Sequence, residues 1–168
     1  MSNSLKRLIL ATACLSLGAC GSGSENEVAG EDKTPQLSAT TLGEQTVLSV
    51  ADYLEQEKFK AADARNGHRQ VQICRACHSL DEGGPNMIGP ALYGFFGRRA
   101  GETAGFDYSP VLQDANFIWT PRALDAWLAQ PGQFLPGNRM TFAGIFREKD
   151  RDDLIAYLLR ATSGISTE

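Results

Sequence analysis

Strand signals are missing from this chain. No stretch alternates apolar and polar residues at any length, and no segment repeats, so sheet-based and solenoid architectures are excluded. The longest apolar or small-residue run, Leu8 to Ala19, has 12 residues, short of the roughly 20 that cross a bilayer. Basic charge is scarce as well. The formal net charge is −4, and Lys149 is the single lysine beyond residue 62, so no basic field points to nucleic acid. Two histidines and four cysteines in 168 residues leave little material for a disulfide scaffold or a four-ligand zinc site.

What is present begins with a leader. Lys6 and Arg7 precede the short apolar run, the pattern of a secretory signal over residues 1–19. The run closes in Leu17-Gly18-Ala19-Cys20, which resembles a bacterial lipobox, and the resemblance implies that Cys20 takes lipid and becomes the mature N-terminus. An ordinary signal with an incidental cysteine, or an uncleaved anchor, are the plainer readings. A multiply acylated cysteine holds a protein to a membrane, since each buried methylene contributes about 0.8 kcal/mol. The expected location is therefore the periplasmic side of a bacterial membrane, the inner one before the outer.

Cysteine accounting then narrows the chemistry. Cys14 leaves with the signal and Cys20 takes lipid, so only Cys74 and Cys77 remain. Without Lys6 and Arg7 the mature net charge becomes −6, of which residues 21–62 carry −5 and residues 63–168 carry −1. Residues 20–62 thus read as an acidic flexible tether rich in Gly, Ser, Glu and Thr, with a short helix possible at 47–62. The folded domain is expected over residues 63–168.

Within that domain Gly67, Val71 and Cys74 share one face of a helix that runs into the cysteine motif. Glycines and prolines interrupt residues 79–118, a stretch that needs a body to wrap around. Pro121 opens a helix to about Ala129. A last helix covers about Glu148 to Ala161, with Leu154, Tyr157, Leu158 and Ala161 as its buried stripe.

The motif itself reads Cys74-Arg75-Ala76-Cys77-His78. A thioredoxin-like redox pair belongs in a βαβ setting, which is absent, and zinc could be completed only by carboxylates. Covalent haem fits better. Cysteines at i and i+3 reach two vinyl groups along one porphyrin edge, and the next residue offers an imidazole to the iron. One covalent haem c also supplies the apolar body that a loop-rich domain lacks. For the far face of the iron the candidates are Met87, Met140, His68 or nothing. Met87 follows His78 too closely to loop over the ring, and His68 sits in a basic, solvent-facing patch. Met140 lies in the turn-rich stretch Pro136-Gly137-Asn138-Arg139-Met140-Thr141-Phe142, far enough downstream to cross the haem. A thioether there raises the reduction potential and closes the iron to substrates.

With Gly89-Pro90-x-Leu92-x-Gly94-x-x-Gly97-Arg98, Gly105-Phe106-x-Tyr108-Ser109, Trp119 and Asp153-Leu-Ile-Ala-Tyr-Leu158, the chain resembles the class I c-type cytochromes over about residues 63–162. The resemblance implies an all-α fold of about four to five short helices and glycine-rich loops around the haem. It also implies His78 and Met140 as axial ligands, and thioethers from Cys74 and Cys77. The Pro90 carbonyl would orient His78, Arg98, Tyr108 and Trp119 would hold the haem propionates, and Phe142 would pack at the haem edge. Gly67 would let Tyr157 approach where the first and last helices cross. Two departures stand out. Trp127 occupies a place where the family often has a tyrosine beside the methionine sulfur, so that tyrosine's hydrogen bond is not implied here. The lysine ring used for docking is missing, and Arg75, Arg98, Arg99 and Arg139 can supply only part of it.

The implied role is an electron carrier with no small-molecule substrate, working between membrane complexes. Its donor would be one such as a quinol–cytochrome c reductase, and its acceptor a terminal oxidase or a reaction centre. The rival readings are an electron-transfer subunit of a dehydrogenase or reductase, a peroxidase, and a gas sensor; the last two require an open or displaceable iron position.

Overall fold

The computed structural model describes residues 37–165. The signal segment, Cys20 and the front of the expected tether lie outside the described residues.

Two helices form the frame. Helix α3 (Ala64–Arg75) starts at Asp63, whose carboxylate accepts from the backbone N–H groups of Arg65 and Asn66 at 2.8 and 3.1 Å, an N-cap geometry. Helix α7 (Glu148–Ala161) places Glu148 and Asp150 in its first turn and Arg160 in its last, each charge matched to its end of the helix dipole. The two cross at Gly67, where an added Cβ would fall 2.8 Å from the Cβ of Tyr157. Asp153 fastens the crossing. Its carboxylate accepts from Asp63 N–H and from Asn66 Nδ2, both at 2.8 Å, and it pairs with Lys149.

Helix α5 (Pro121–Ala129) begins with Pro at its first position and is capped by Thr120, whose hydroxyl accepts from Ala123 N–H at 3.2 Å. It buries Ala123, Leu124, Ala126, Trp127 and Leu128. One-turn helices α4 (Pro110–Gln113) and α6 (Pro131–Phe134) interrupt the loops on either side. Among the described residues there is no strand. A single antiparallel bridge joins Arg99 to Ile118, and Trp119 N–H donates to Arg98 O at 2.9 Å, so Trp119 is held beside Arg98.

Residues 37–62 correct the expectation of a flexible tether, in which a short helix was held possible only at 47–62. They form α1 (Val50–Leu54) and α2 (Glu57–Lys60) and lie on the domain as a strap. Leu42, Tyr53 and Phe59 are buried, each contributing roughly 1.5–3 kcal/mol. Ala39 N–H donates to Phe134 O at 2.9 Å, and Lys58 pairs with Asp152 of α7 at 3.2 Å. The strap changes α7 as well. Ile155 and Leu159, off the expected stripe, are fully buried beside Leu154 and Leu158, because α1 and α2 cover that side of the helix. The described residues therefore hold seven helices rather than four to five: two come from the strap, and α4 and α6 are single turns inside stretches expected as loop.

Candidate functional site

Helix α3 delivers the cysteine motif at its C-terminus. Past its last turn, Cys77 N–H and His78 N–H both donate to Cys74 O, at 3.0 and 2.9 Å, and both cysteines are free and half-buried. Burial pushes the Cys74 thiol up to about 11, against a smaller lowering by its backbone hydrogen bond. A catalytic dithiol is tuned the other way, to a depressed thiolate value, so the direction of the shift does not favour a redox pair.

His78 is oriented by its neighbour. Its Nδ1 lies 2.7 Å from Pro90 O, and because a carbonyl only accepts, Nδ1 carries the proton and Nε2 keeps its lone pair. Burial lowers the pKa of His78, and the bond to Pro90 opposes that shift. The ring lies flat against Gly89: a Cβ there would overlap the imidazole. Gly89 N–H in turn donates to Cys77 O at 2.8 Å, which ties the loop back to the motif.

Met140 is held from two sides. Trp127, buried in α5, donates Nε1–H to the Met140 sulfur at 3.2 Å. Asn138 accepts from Met140 N–H at 2.9 Å while its amide donates to Pro131 O and Leu135 O, both at 2.9 Å. Arg139 ties the same loop to Asp107. The Trp127 contact supplies the hydrogen bond that the tryptophan-for-tyrosine departure left open. The other two candidates lie elsewhere: Met87 and His68 are exposed, whereas Met140 packs against the core.

The residues expected at the haem propionates lie on the other loops. Tyr108 is buried, with its ring edge-on to Phe106 at 4.8 Å, and Trp119 stands edge-on to Trp127 at 5.4 Å. Arg98 is committed to its own loop: it donates to Thr103 Oγ1 at 2.9 Å and to Tyr93 O and Gly94 O at 3.2 and 3.0 Å. A groove of about 520 Å³ opens beside Arg98, and none of Cys74, Cys77, His78 or Met140 lines it. Phe142 follows Met140 in the same turn and is half-buried against the core.

Sequence reasoning gave no role to Ser109. Its side chain is buried and its hydroxyl meets no hydrogen-bond partner among the described residues. Such an orphan costs about 1–3 kcal/mol, so a donor poised beside Tyr108 calls for an acceptor that the chain does not provide. A haem propionate is such an acceptor. The signal was in the motif, as the residue after Tyr108, yet a serine there reads equally well as a helix cap; here it caps α4 without a side-chain bond. Thiols free of each other, a histidine nitrogen with its lone pair open, and an unpaired buried hydroxyl together fit a covalently held haem.

Comparison with known proteins agrees. The family model described as Cytochrome c matches residues 64–162. The chain is 38% identical over 88 residues to the cytochrome c of Kluyveromyces lactis, covering 52% of this chain and 80% of that protein. It is 38% identical over 104 residues to the cytochrome c2 of Agrobacterium tumefaciens, covering 60% of this chain and 94% of that one. With the cytochrome c homolog of Rickettsia felis it shares 38% identity over 119 residues, 71% of this chain and 65% of that protein. The chain belongs to the cytochrome c family. It is an all-α class I c-type cytochrome that carries one covalently attached haem c, and it is an electron carrier rather than an enzyme.

Proposed function

We propose that this cytochrome is anchored to a bacterial membrane on its periplasmic side and carries single electrons between respiratory or photosynthetic complexes. In this reading Cys74 and Cys77 would hold the haem, His78 and Met140 would ligate its iron, and Tyr108, Trp119, Ser109 and the remaining N–H groups of Arg98 would receive the propionates. One observation carries the ligand assignment. His78 keeps a lone pair at Nε2 and Met140 keeps one on sulfur, while a neighbour fixes each side chain.

The bound haem supplies a one-electron couple, which a thioether ligand biases toward the reduced state. The chain's own groups do the rest. Pro90 holds the imidazole in one tautomer, so the ligand nitrogen needs no proton exchange as charge changes. Trp127 fixes the sulfur and withdraws electron density from it. Leu128, Phe134 and Ile145, all buried, keep water from the interior. With His78 and Met140 both on the iron, no position would be left for a substrate.

Charge steering is weak in this chain, which favours an anchored carrier. Lys149 is engaged by Asp153 and Ala61 O, Arg139 by Asp107, and Arg99 by Glu102 at 3.6 Å. Tethering to the membrane raises a partner's effective concentration to the millimolar range and reduces the need for long-range attraction. A lipid on Cys20 would provide it. Two experiments test the proposal. Reduced protein should leave carbon monoxide unbound, and Met140→Ala should bind it; binding by the unaltered protein would reject closed ligation. In cell fractionation, Cys20→Ser should move the protein from membrane to soluble fraction, and an unchanged distribution would reject the lipid anchor.

A further inference from the structure

The strap precedes the matched family segment, and it does more than cover α7. Gln45 reaches across 73 residues of sequence to the segment that carries Trp119. Its Oε1 accepts from Ile118 N–H at 2.8 Å, and its Nε2 donates to Ile118 O at 2.6 Å and to Thr120 Oγ1 at 3.0 Å. Three hydrogen bonds from one side chain thus hold the residues on both sides of Trp119. Thr120 is also the cap of α5, the helix that bears Trp127. Trp119 and Trp127 meet edge to face at 5.4 Å, and Trp127 donates to the Met140 sulfur at 3.2 Å. The contacts are continuous: Gln45, then the 118–120 segment, then the two indoles, then the sulfur.

We propose that Gln45 is a positioning residue for Met140: through the 118–120 segment it fixes the tryptophan pair and hence the seat of the thioether. This inference rests on the reading of Met140 as an axial ligand. Its hydrogen bonds go to Ile118 and Thr120 rather than to either indole, so its effect is to narrow the positions that α5 and Trp119 can adopt. Losing those hydrogen bonds frees the start of α5 and lets the Trp127 donor drift from the sulfur. The strength of the iron–sulfur contact should then fall, even though the sulfur and both indoles are still present.

Competition by free imidazole reads this directly. In the oxidised holoprotein, imidazole displaces a weakly held methionine and abolishes the weak red absorption band that thioether ligation produces. Gln45→Ala should lower the imidazole concentration for half-loss of that band about three- to tenfold, the effect of one or two net hydrogen bonds. Gln45→Glu keeps the acceptor for Ile118 N–H but turns a carboxylate oxygen toward Ile118 O, and should give a shift of the same sign at least as large. Ile155→Val, a core variant in α7 outside this path, should lower the thermal midpoint while leaving the imidazole concentration unchanged. If Gln45→Ala shifts imidazole binding no more than Ile155→Val does at matched loss of thermal stability, the positioning role is overturned. A red band absent from the unaltered protein would instead overturn the assignment of Met140, and the two failures are thereby told apart.

Discussion

Trp127 donates its indole N–H to the sulfur of Met140 at 3.2 Å, an interaction between a helix interior and a loop 13 residues away. The donor draws electron density from the sulfur. With Met140 as an iron ligand, a poorer electron donor would favour ferrous iron, so the contact would raise the reduction potential. Trp127→Phe keeps most of the buried ring and removes the N–H. The potential is expected to fall by roughly 20–40 mV, the equivalent of about 0.5–1 kcal/mol for a one-electron couple. Redox titration of the two proteins checks it.

Gly89 is the floor beneath His78. A methyl group at this position would occupy the space of the imidazole, and the loop cannot retreat because Gly89 N–H is bonded to Cys77 O. Gly89→Ala should therefore reduce the yield of haem-bearing protein and loosen His78 in what survives. Gly132 offers the contrast, since a Cβ there meets nothing within 4 Å, and Gly132→Ala should load haem normally. The haem-to-protein absorbance ratio after purification distinguishes the two.

The helix crossing should be acid-sensitive through Asp153. Burial raises its pKa, but Lys149, Asn66 and the Asp63 N–H together outweigh burial and hold it below the ordinary value of 3.8. A folded-state value below the unfolded one means that the stabilisation is complete above pH 4 and is lost as pH falls through the folded value. Asp153→Asn should remove that acid-dependent part and cost about 1.5–3 kcal/mol at neutral pH, the range for hydrogen bonds to a charged group. Denaturant unfolding followed from pH 7 to pH 3 measures both effects.

Phe59→Ala should destabilise the protein by about 3–5 kcal/mol, as for other fully buried aromatic side chains. A flexible tether would show no change. Urea unfolding at neutral pH tests whether the strap belongs to the cooperative unit.

Much of the site was legible because it depends on spacing along the chain. Cys74 lies in the last turn of α3 with Cys77 and His78 within the next four residues, and the Pro90 carbonyl, which the resemblance implied as the partner of His78, lies 2.7 Å from its Nδ1. The last helix was bounded correctly by its charges, Glu148 to Ala161. The strap was harder to see, because its composition is acidic and polar and its anchors are single residues. Besides the short helix held possible at 47–62, a signal lay in α7: Leu154-Ile-Ala-Tyr-Leu-Leu159 is apolar around more than one face, and a helix buried on two sides needs two covers. The Trp127 donor was invisible for another reason. An indole N–H points along the ring edge in a direction that only the packed orientation of α5 defines, and residue type alone does not give it.

Closure of the iron to substrates requires Met140 as its second ligand, and the absorption spectrum of the oxidised holoprotein reads that ligand. A weak band toward the red end of the spectrum, present in the unaltered protein and lost in Met140→Ala but kept in Met87→Ala, is the predicted result. A spectrum without that band, or a band that survives Met140→Ala, would contradict the account.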